Sequence, residues 1–278
     1  MVLRIDPSLP VLWRSPSSLQ LGVAGRVVME EVSPAAERIV AALAIGTSET
    51  GIRMIARGAG MPPAELDALL ARLGPALEQR PAPLPGVAVT GRGPVAEEVA
   101  RQLEDAGVRT GLRQGPDIVI LVADHVVAPE DHGRWLRRDV AHLPLVVGAE
   151  RVEAGPLVVP GDGPCLHCAQ LARTEADPAW PAMAAQLLRL APVEPGRTVQ
   201  VEAAALAVRR VLGAGAPPQG GDGLLQRLRV SDGTVSALRI APHPECLCRG
   251  LPGSGWAPAA GPAAPVAPSA APAAAVPA

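Results

Sequence analysis

Phenylalanine and tyrosine are absent from this 278-residue chain and tryptophan occurs four times, so leucine, valine, isoleucine and alanine must fill the core. Alanine brings helix propensity but little buried area per residue, which predicts closely packed helices and ordinary stability. No stretch stays apolar for about 18 residues, which argues against a membrane-spanning helix. The opening Met-Val-Leu-Arg-Ile-Asp lacks the basic and then apolar segments of a secretory signal. The expectation is a cytoplasmic protein with no membrane partner. Long basic runs are missing too, and the formal charge is −2, which argues against electrostatic capture of nucleic acid.

What the chain does have is four cysteines in two close pairs. Cys165 and Cys168 lie in Gly-Asp-Gly-Pro-Cys-Leu-His-Cys, residues 161–168, and Cys246 and Cys248 follow beyond a helix and a hairpin. Two soft-ligand pairs, each held in a tight loop, suit a tetrahedral structural zinc ion, which would clamp distant segments together. In a reducing compartment metal is favoured over disulfides, with free buried or redox thiols as the third reading. His167 is a ligand or a surface donor, the second being favoured beside four thiols. His243 is a substitute ligand if one thiol faces away.

The chain reads as two folding regions and a tail. Pro10–Arg14, Ser18–Leu21 and Arg26–Glu30 carry strand patterns, with Gly22 and Gly25 around a turn. Ser33-Pro34 can cap a helix over Ala35–Leu43, and Thr47 or Ser48 a second one to Arg57. A third helix is expected from Pro62 or Pro63 through Gln79. Leu66, Leu69, Leu70, Leu73 and Leu77 form its apolar stripe, and Gly74-Pro75 interrupts or kinks it. Residues 1–80 therefore suggest a winged-helix-like module, the alternative being a helical extension of the next domain. As a DNA reader its third helix is poor, offering only Glu65, Asp67, Arg72, Glu78 and Gln79 as polar reach.

After a proline-rich joint at 81–86, Val87–Thr90 reads as a buried strand, Gly91-Arg92-Gly93-Pro94 as its turn and Val95–Ala106 as a helix. This order opens a Rossmann-like unit and makes Gly91, Arg92 and Gly93 candidate nucleotide contacts. Ala96 stands where a third glycine is expected, Pro94 removes an amide hydrogen, and Arg113-Gln114 replaces a ribose-binding acid. A purely structural turn is therefore the favoured reading. Strands are expected at Val108–Leu112, Asp117–Ala123, Leu143–Val147 and within Glu150–Pro160, with a helix over Pro129–Ala141, in a parallel, helix-covered sheet. Asp124, His125, Asp131 and His132 either converge at its carboxyl edge or belong to an ordinary charged loop. Leu171–Asp177 reads as turn. A helix follows, with Met183, Leu187, Leu188 and Leu190 for packing, and another spans Glu202–Leu212. After a break at Gly213–Gly223, Leu224–Val230 and Thr234–Ile240 make a hairpin around Ser231-Asp232-Gly233. Residues 251–278 are mostly alanine, proline and glycine around one tryptophan, too poor in apolar bulk to order.

Several of these motifs occur together in a known pattern. Gly163-Pro164-Cys165-Leu166-His167-Cys168, Arg173-Thr174, Asp177-Pro178-Ala179-Trp180-Pro181, Gln186-Leu187 and the late His243-Pro244-Glu245-Cys246-Leu247-Cys248 are similar to the E1-like (ThiF-type) proteins of azole/azoline-modified peptide biosynthesis. These are the bacteriocin-type (TOMM) cyclodehydratase components and precursor leader-peptide-binding proteins. The resemblance spans residues 5–250. It implies an α/β protein with a PqqD-like winged-helix recognition element at 1–80 and a degenerate Rossmann-like E1/ThiF domain at 87–250, with zinc on Cys165, Cys168, Cys246 and Cys248. It also implies a groove for an extended leader peptide between Arg26–Glu30 and Pro62–Gln79.

The role that follows from the resemblance is a non-catalytic adaptor. It would hold the leader of a ribosomally made precursor and present it to a YcaO-like ATP-dependent cyclodehydratase, and family members are often homodimers. The departures bear on ATP: the glycine loop is incomplete, and Arg92 and Arg113 are the nearby basic candidates. An ATP-dependent adenylating enzyme and an orphan zinc-stabilised scaffold or regulator are the alternatives, and no residue is assigned to catalysis.

Overall fold

A computed structural model describes residues 2–78, 83–111, 115–216, 218 and 220–249. The expectations placed on Gln79, Pro81 and Ala82 of the proline-rich joint, Leu112, Arg113, Gln114 and the tail beyond Arg249 fall outside those residues. The chain divides into two compact units, Met1–Ala82 and Pro83–Ala278.

In the first unit, β1 (Val2–Leu3), β2 (Val11–Ser15), β3 (Ser18–Leu21) and β4 (Val27–Met29) precede α1 (Pro34–Ile45), β5 (Thr47–Ser48), α2 (Glu49–Gly58) and α3 (Pro63–Leu73). Strands β2, β3 and β4 form an antiparallel sheet in that order, with Leu19 opposite Met29 and Leu21 opposite Val27. The two-residue period sends Leu19 and Leu21 into the core and leaves Gln20 half-buried between them. Serines start the first two helices as their positions suggest: Ser33 Oγ accepts the Ala36 amide at 3.2 Å and Ser48 Oγ the Gly51 amide at 3.0 Å. Leu66, Leu69 and Leu73 meet Ile39, Leu43 and Ile52 in one core.

The third helix is shorter than its leucine stripe suggests. It ends at Leu73, because Gly74-Pro75 turns the chain into a short 3-10 segment, Gly74–Ala76. Leu77 then bridges to Ile5 as extended chain. The short ladder of β1 with β5 has no sequence signal, since two residues are too few to show a period.

In the second unit, β6 (Val87–Thr90), α4 (Pro94–Asp105), β7 (Ile118–Asp124), α5 (Pro129–Leu136) and β8 (Ala141–Val147) alternate as expected. They are followed by β9 (Arg151–Ala154), α6 (Leu166–Ala176), α7 (Trp180–Leu187), α8 (Arg197–Leu212), β10 (Leu224–Arg229) and β11 (Val235–Arg239). One six-stranded sheet has the order β11-β10-β9-β8-β7-β6. It is mixed, not parallel throughout: β6, β7 and β8 are parallel, whereas β9, β10 and β11 each run antiparallel to their neighbours. Only Gly148-Ala149-Glu150 separate β8 from β9, too few residues for the crossover a parallel pair requires.

Alternation along β7 builds two cores. Ile118 and Ile120 join Val95, Val99 and Leu103 of α4 and Ala203, Ala204 and Ala207 of α8. Val119 and Leu121 face Trp135, Leu166, Cys165 and Cys168. The fully buried alanines of α8 are the close helix packing that an alanine-rich composition predicts.

Four local expectations are corrected. Residues 108–111 form no strand: Val108 packs in the core with Val87 and Ile118, but left-handed Gly107 and Gly111 bracket the turn, whose Arg109 carbonyl accepts the Val87 amide. Residues 171–176 are helical rather than turn, as Leu-Ala-Arg-Thr-Glu-Ala readily allows. The helix at Pro129 stops at Leu136, leaving the chain free to enter β8. Helix α7 buries none of its side chains, and Met183, Leu188 and Leu190 are exposed instead of packed. Among the described residues, no helix is long and apolar enough to cross a membrane.

Candidate functional site

The four cysteines converge. Cys165 is the N-cap of α6 and Cys168 lies in its first turn, while Cys246 and Cys248 arrive on the segment after β11. All four sulfurs lie within 4.8 Å of one another. The Cys165–Cys168, Cys165–Cys246 and Cys168–Cys248 separations are 3.9, 3.6 and 3.6 Å. Metal–sulfur bonds of about 2.3 Å in a tetrahedron put sulfurs about 3.8 Å apart, so these separations fit one ion. All four thiols are free.

Their electrostatics are compatible with a shared cation. The Cys165 thiol hydrogen-bonds to the Cys168 sulfur, which holds Cys168 down at about 4 and pushes Cys165 up. Burial, followed by the neighbouring thiols Cys246 and Cys168, pushes Cys248 up to about 12. One thiolate thus forms at the expense of the others unless a positive ion is shared among them. His167 is exposed and stands apart from the cluster. His243 is buried and bonds to Glu175 Oε1 at 2.9 Å, so it supports the loop beside the thiols without joining the four.

The glycine turn has a different basis. Gly91 has φ +106°, and a Cβ there would lie 2.3 Å from the Val122 carbonyl oxygen, so β7 alone demands glycine. Gly93 has φ +91° with open space where a Cβ would point, and Arg92 is exposed beside it. The arrangement leaves room for a ligand at Gly93, yet Pro94, the first residue of α4, offers it no amide hydrogen.

Asp124, His125, Asp131 and His132 do not converge. Asp124 Oδ1 accepts the Val193 amide at 3.0 Å and His125 Nε2 bonds to the Ala191 carbonyl at 3.1 Å, so both hold the segment before α8. Asp131 is exposed. His132 is buried, with Nδ1 2.9 Å from His142 Nε2, and burial, then the charge on His142, holds it down at about 4.

Two buried acids escape a reading from sequence spacing alone. Glu98 on α4 is 2 % exposed. Arg101, Gln102 and Arg197 surround its carboxylate, and their hydrogen bonds, Arg101's foremost, hold it down at about 2. Glu153 on β9 is 5 % exposed and is contacted by Arg173, by Arg227 Nε at 2.8 Å and by Arg151 Nε at 3.4 Å. Arg101 and Gln102 stand three and four residues after Glu98, and Arg151 two before Glu153, but Arg197 lies 99 residues from Glu98 and Arg227 74 from Glu153, so local spacing shows only part of each cluster. One compositional signal was available: the chain contains no lysine, and all 25 of its basic residues are arginine.

The fold of this chain is similar to those of heterocyclase and MccB structures. No family model and no curated protein matches the chain. Among solved structures, the heterocyclase TruD is similar at TM-score 0.61 and 21% identity, over 90% of this chain and 43% of that one. A heterocyclase in complex with substrate and cofactor is similar at 0.60 and 18%, over 89% and 39%. Escherichia coli MccB is similar at 0.60 and 14%, over 90% and 97%. The chain therefore spans about two fifths of the heterocyclases and nearly all of MccB, and the likeness is one of fold.

Proposed function

We propose that this protein is a non-catalytic adaptor of azoline-forming peptide modification. It binds the leader of a ribosomally made precursor and presents that peptide to a YcaO-like ATP-dependent cyclodehydratase. The observation that carries the reading is the likeness of nearly the whole chain to heterocyclases, one of them in complex with substrate, alongside MccB, solved with MccA. In this reading the first unit is a PqqD-like winged-helix element and the second a degenerate E1/ThiF domain. Strand β4 is the edge of its sheet, and Arg72 of α3 donates to the Val28 carbonyl on it at 2.6 Å. An extended peptide added there gains main-chain hydrogen bonds from the strand and side-chain pockets from the helix. Cys165, Cys168, Cys246 and Cys248 hold a structural zinc ion, which supplies cross-linking and no chemistry.

The test is affinity purification of the tagged full chain from its own cells, with co-eluting proteins and peptides identified by mass spectrometry. Recovery of a short precursor together with a YcaO-like protein is expected; recovery of neither, with the neighbouring genes expressed, overturns the adaptor. With the precursor in hand, Leu70→Asp is informative, because Leu70 is partly buried on α3. Retained folding with lost peptide binding favours the groove.

A second reading, an ATP-dependent adenylating enzyme, is favoured by coverage: the chain matches MccB over 97% of that chain, and MccB has also been solved with ATP. In this reading Gly91, Arg92 and Gly93 contact the nucleotide. Peptide-dependent pyrophosphate release separates it from the adaptor, which is expected to give none.

A further inference from the structure

The arginines around Glu153 outnumber what they neutralise. Glu153 sits on β9 with its side chain 6% exposed, against Arg151, Arg173 and Arg227 at 57%, 24% and 36%. Three guanidinium groups on one carboxylate leave two positive charges in partly dry surroundings. A purely structural ion pair is more economical when its charges balance. Each guanidinium carries five N–H donors; those contacts take one nitrogen from each, so most donors remain free.

The free donors border open space. A cleft of about 270 Å³ is lined by Arg151, Glu153 and Arg173, with Trp180 and Leu187 as an apolar wall. A neighbouring concavity of about 580 Å³ shares Arg151 and Glu150 and adds Arg227 and Arg229. Arg229 is already paired with Asp232 at 2.9 Å. Glu150 is exposed and adds one negative charge to the rim, which still leaves a positive balance. His125, Val146 and Gly148 bring the cleft to the carboxyl ends of the parallel strands β7 and β8, where open α/β sheets bind ligands. The Arg173 guanidinium lies 5.0 Å from the centre of the Trp180 ring, and the indole N–H donates to Gln170 Oε1 at 2.5 Å. The apolar wall is thus tied to the charged one.

We infer that this arginine cluster, organised by Glu153, is a binding site for an organic oxyanion: a carboxylate or phosphoryl group seated on Arg151, Arg173 and Arg227, with the ligand's apolar body against Trp180 and Leu187. The forked geometry of arginine suits either oxyanion. Glu153 acts as a positioning residue, fixing the forks before the ligand arrives. The inference is independent of peptide binding by the first unit and of any nucleotide at the glycine turn.

The test is calorimetric titration of the full-length protein with three probes: N-acetyl-leucine, its neutral analogue N-acetyl-leucinamide, and inorganic phosphate. At least one oxyanion is expected to bind with a dissociation constant of about 1 mM or tighter, with the amide silent. Binding of the acid assigns the carboxylate class; binding of phosphate alone assigns the phosphoryl class. Arg151→Gln, at an exposed position, is expected to leave the melting temperature unchanged and weaken binding about tenfold, the loss of one charge-assisted hydrogen bond. Failure of both oxyanions to bind, equal binding of acid and amide, or binding unaffected by both Arg151→Gln and Arg227→Gln overturns the inference.

Discussion

The cysteine cluster and the glycine turn flank the same sheet and were both visible as motifs, yet they differ in what a motif can guarantee. The cysteine pairs are 80 residues apart in sequence and have no reason to meet unless something binds them together, so their convergence is itself information. The glycines are neighbours in any conformation. Gly91 is explained by the Val122 carbonyl alone, and its presence carries no news of a ligand. Long-range convergence of one chemical type is the stronger signal, and each experiment below either widens or closes the gap between the two regions.

The largest effect is expected at the clamp. Cys165→Ser removes one corner of the tetrahedron, and an incomplete shell holds neither the ion nor the segment after β11. We expect loss of bound zinc by elemental analysis and a destabilisation of about 3 kcal/mol or more. Unchanged metal content together with an unchanged melting temperature would sink the assignment and reduce the clamp to four packed thiols.

Gly91→Ala comes next. The substitution forces a Cβ to 2.3 Å from a backbone oxygen at φ +106°, so β6 and β7 must part locally. A cost of about 2 to 4 kcal/mol is expected in chemical denaturation, from backbone strain plus the clash. The loss should be the same with and without ATP. A variant of native stability that has lost nucleotide binding would show that the glycine serves the ligand, and would erase the contrast with the cysteines.

What could be read from the sequence follows the same division between local and distant causes. The capping serines, the strands β3 and β7, the hairpin at Ser231-Asp232-Gly233 and the cysteine pairs were legible, because each cause lies within a few residues or is of a rare type. The antiparallel turn of β9, the helix over 171–176 and the exposed face of α7 were misread. Strand direction depends on loop length, and apolar residues on a helix do not declare whether anything covers them. The burial of Glu98 and Glu153 was invisible: the Glu98–Arg101 spacing reads as an ordinary surface pair on a helix, and Arg197, Arg173 and Arg227 reach the two acids only in the fold.

Glu98 supplies a pH test on the helix that follows the glycine turn. Its carboxylate titrates at about 2, chiefly because Arg101 bonds to it, against an ordinary value of 4.5. A depressed acid stabilises the fold above its unfolded value, and that contribution fades as pH falls from 4.5 towards 2. Glu98→Gln should therefore be less stable than the parent at neutral pH, with the difference shrinking through this acid window. A difference that holds constant down to about pH 2 would mean that the charge on Glu98 contributes nothing.

The smallest effect is expected at Gly93, and it decides most about the turn. Gly93 has φ +91° and ψ 178°, a region nearly reserved for glycine, so alanine costs about 1 to 2 kcal/mol by strain alone. Open space around the added Cβ means that no clash adds to it, and the loss should be smaller than at Gly91. The same space is where a phosphate would approach the chain. If ATP raises the melting temperature of the parent and Gly93→Ala abolishes that rise, the turn binds nucleotide and the adenylating reading gains its site. A saturating ligand at a hundred times its dissociation constant adds about 2.7 kcal/mol, more than the strain penalty, so the two contributions can be separated in one pair of thermal melts. Equal melting with and without ATP in both proteins leaves the glycines as the hinge of a structural turn, and the cysteine cluster as the motif with the longer reach.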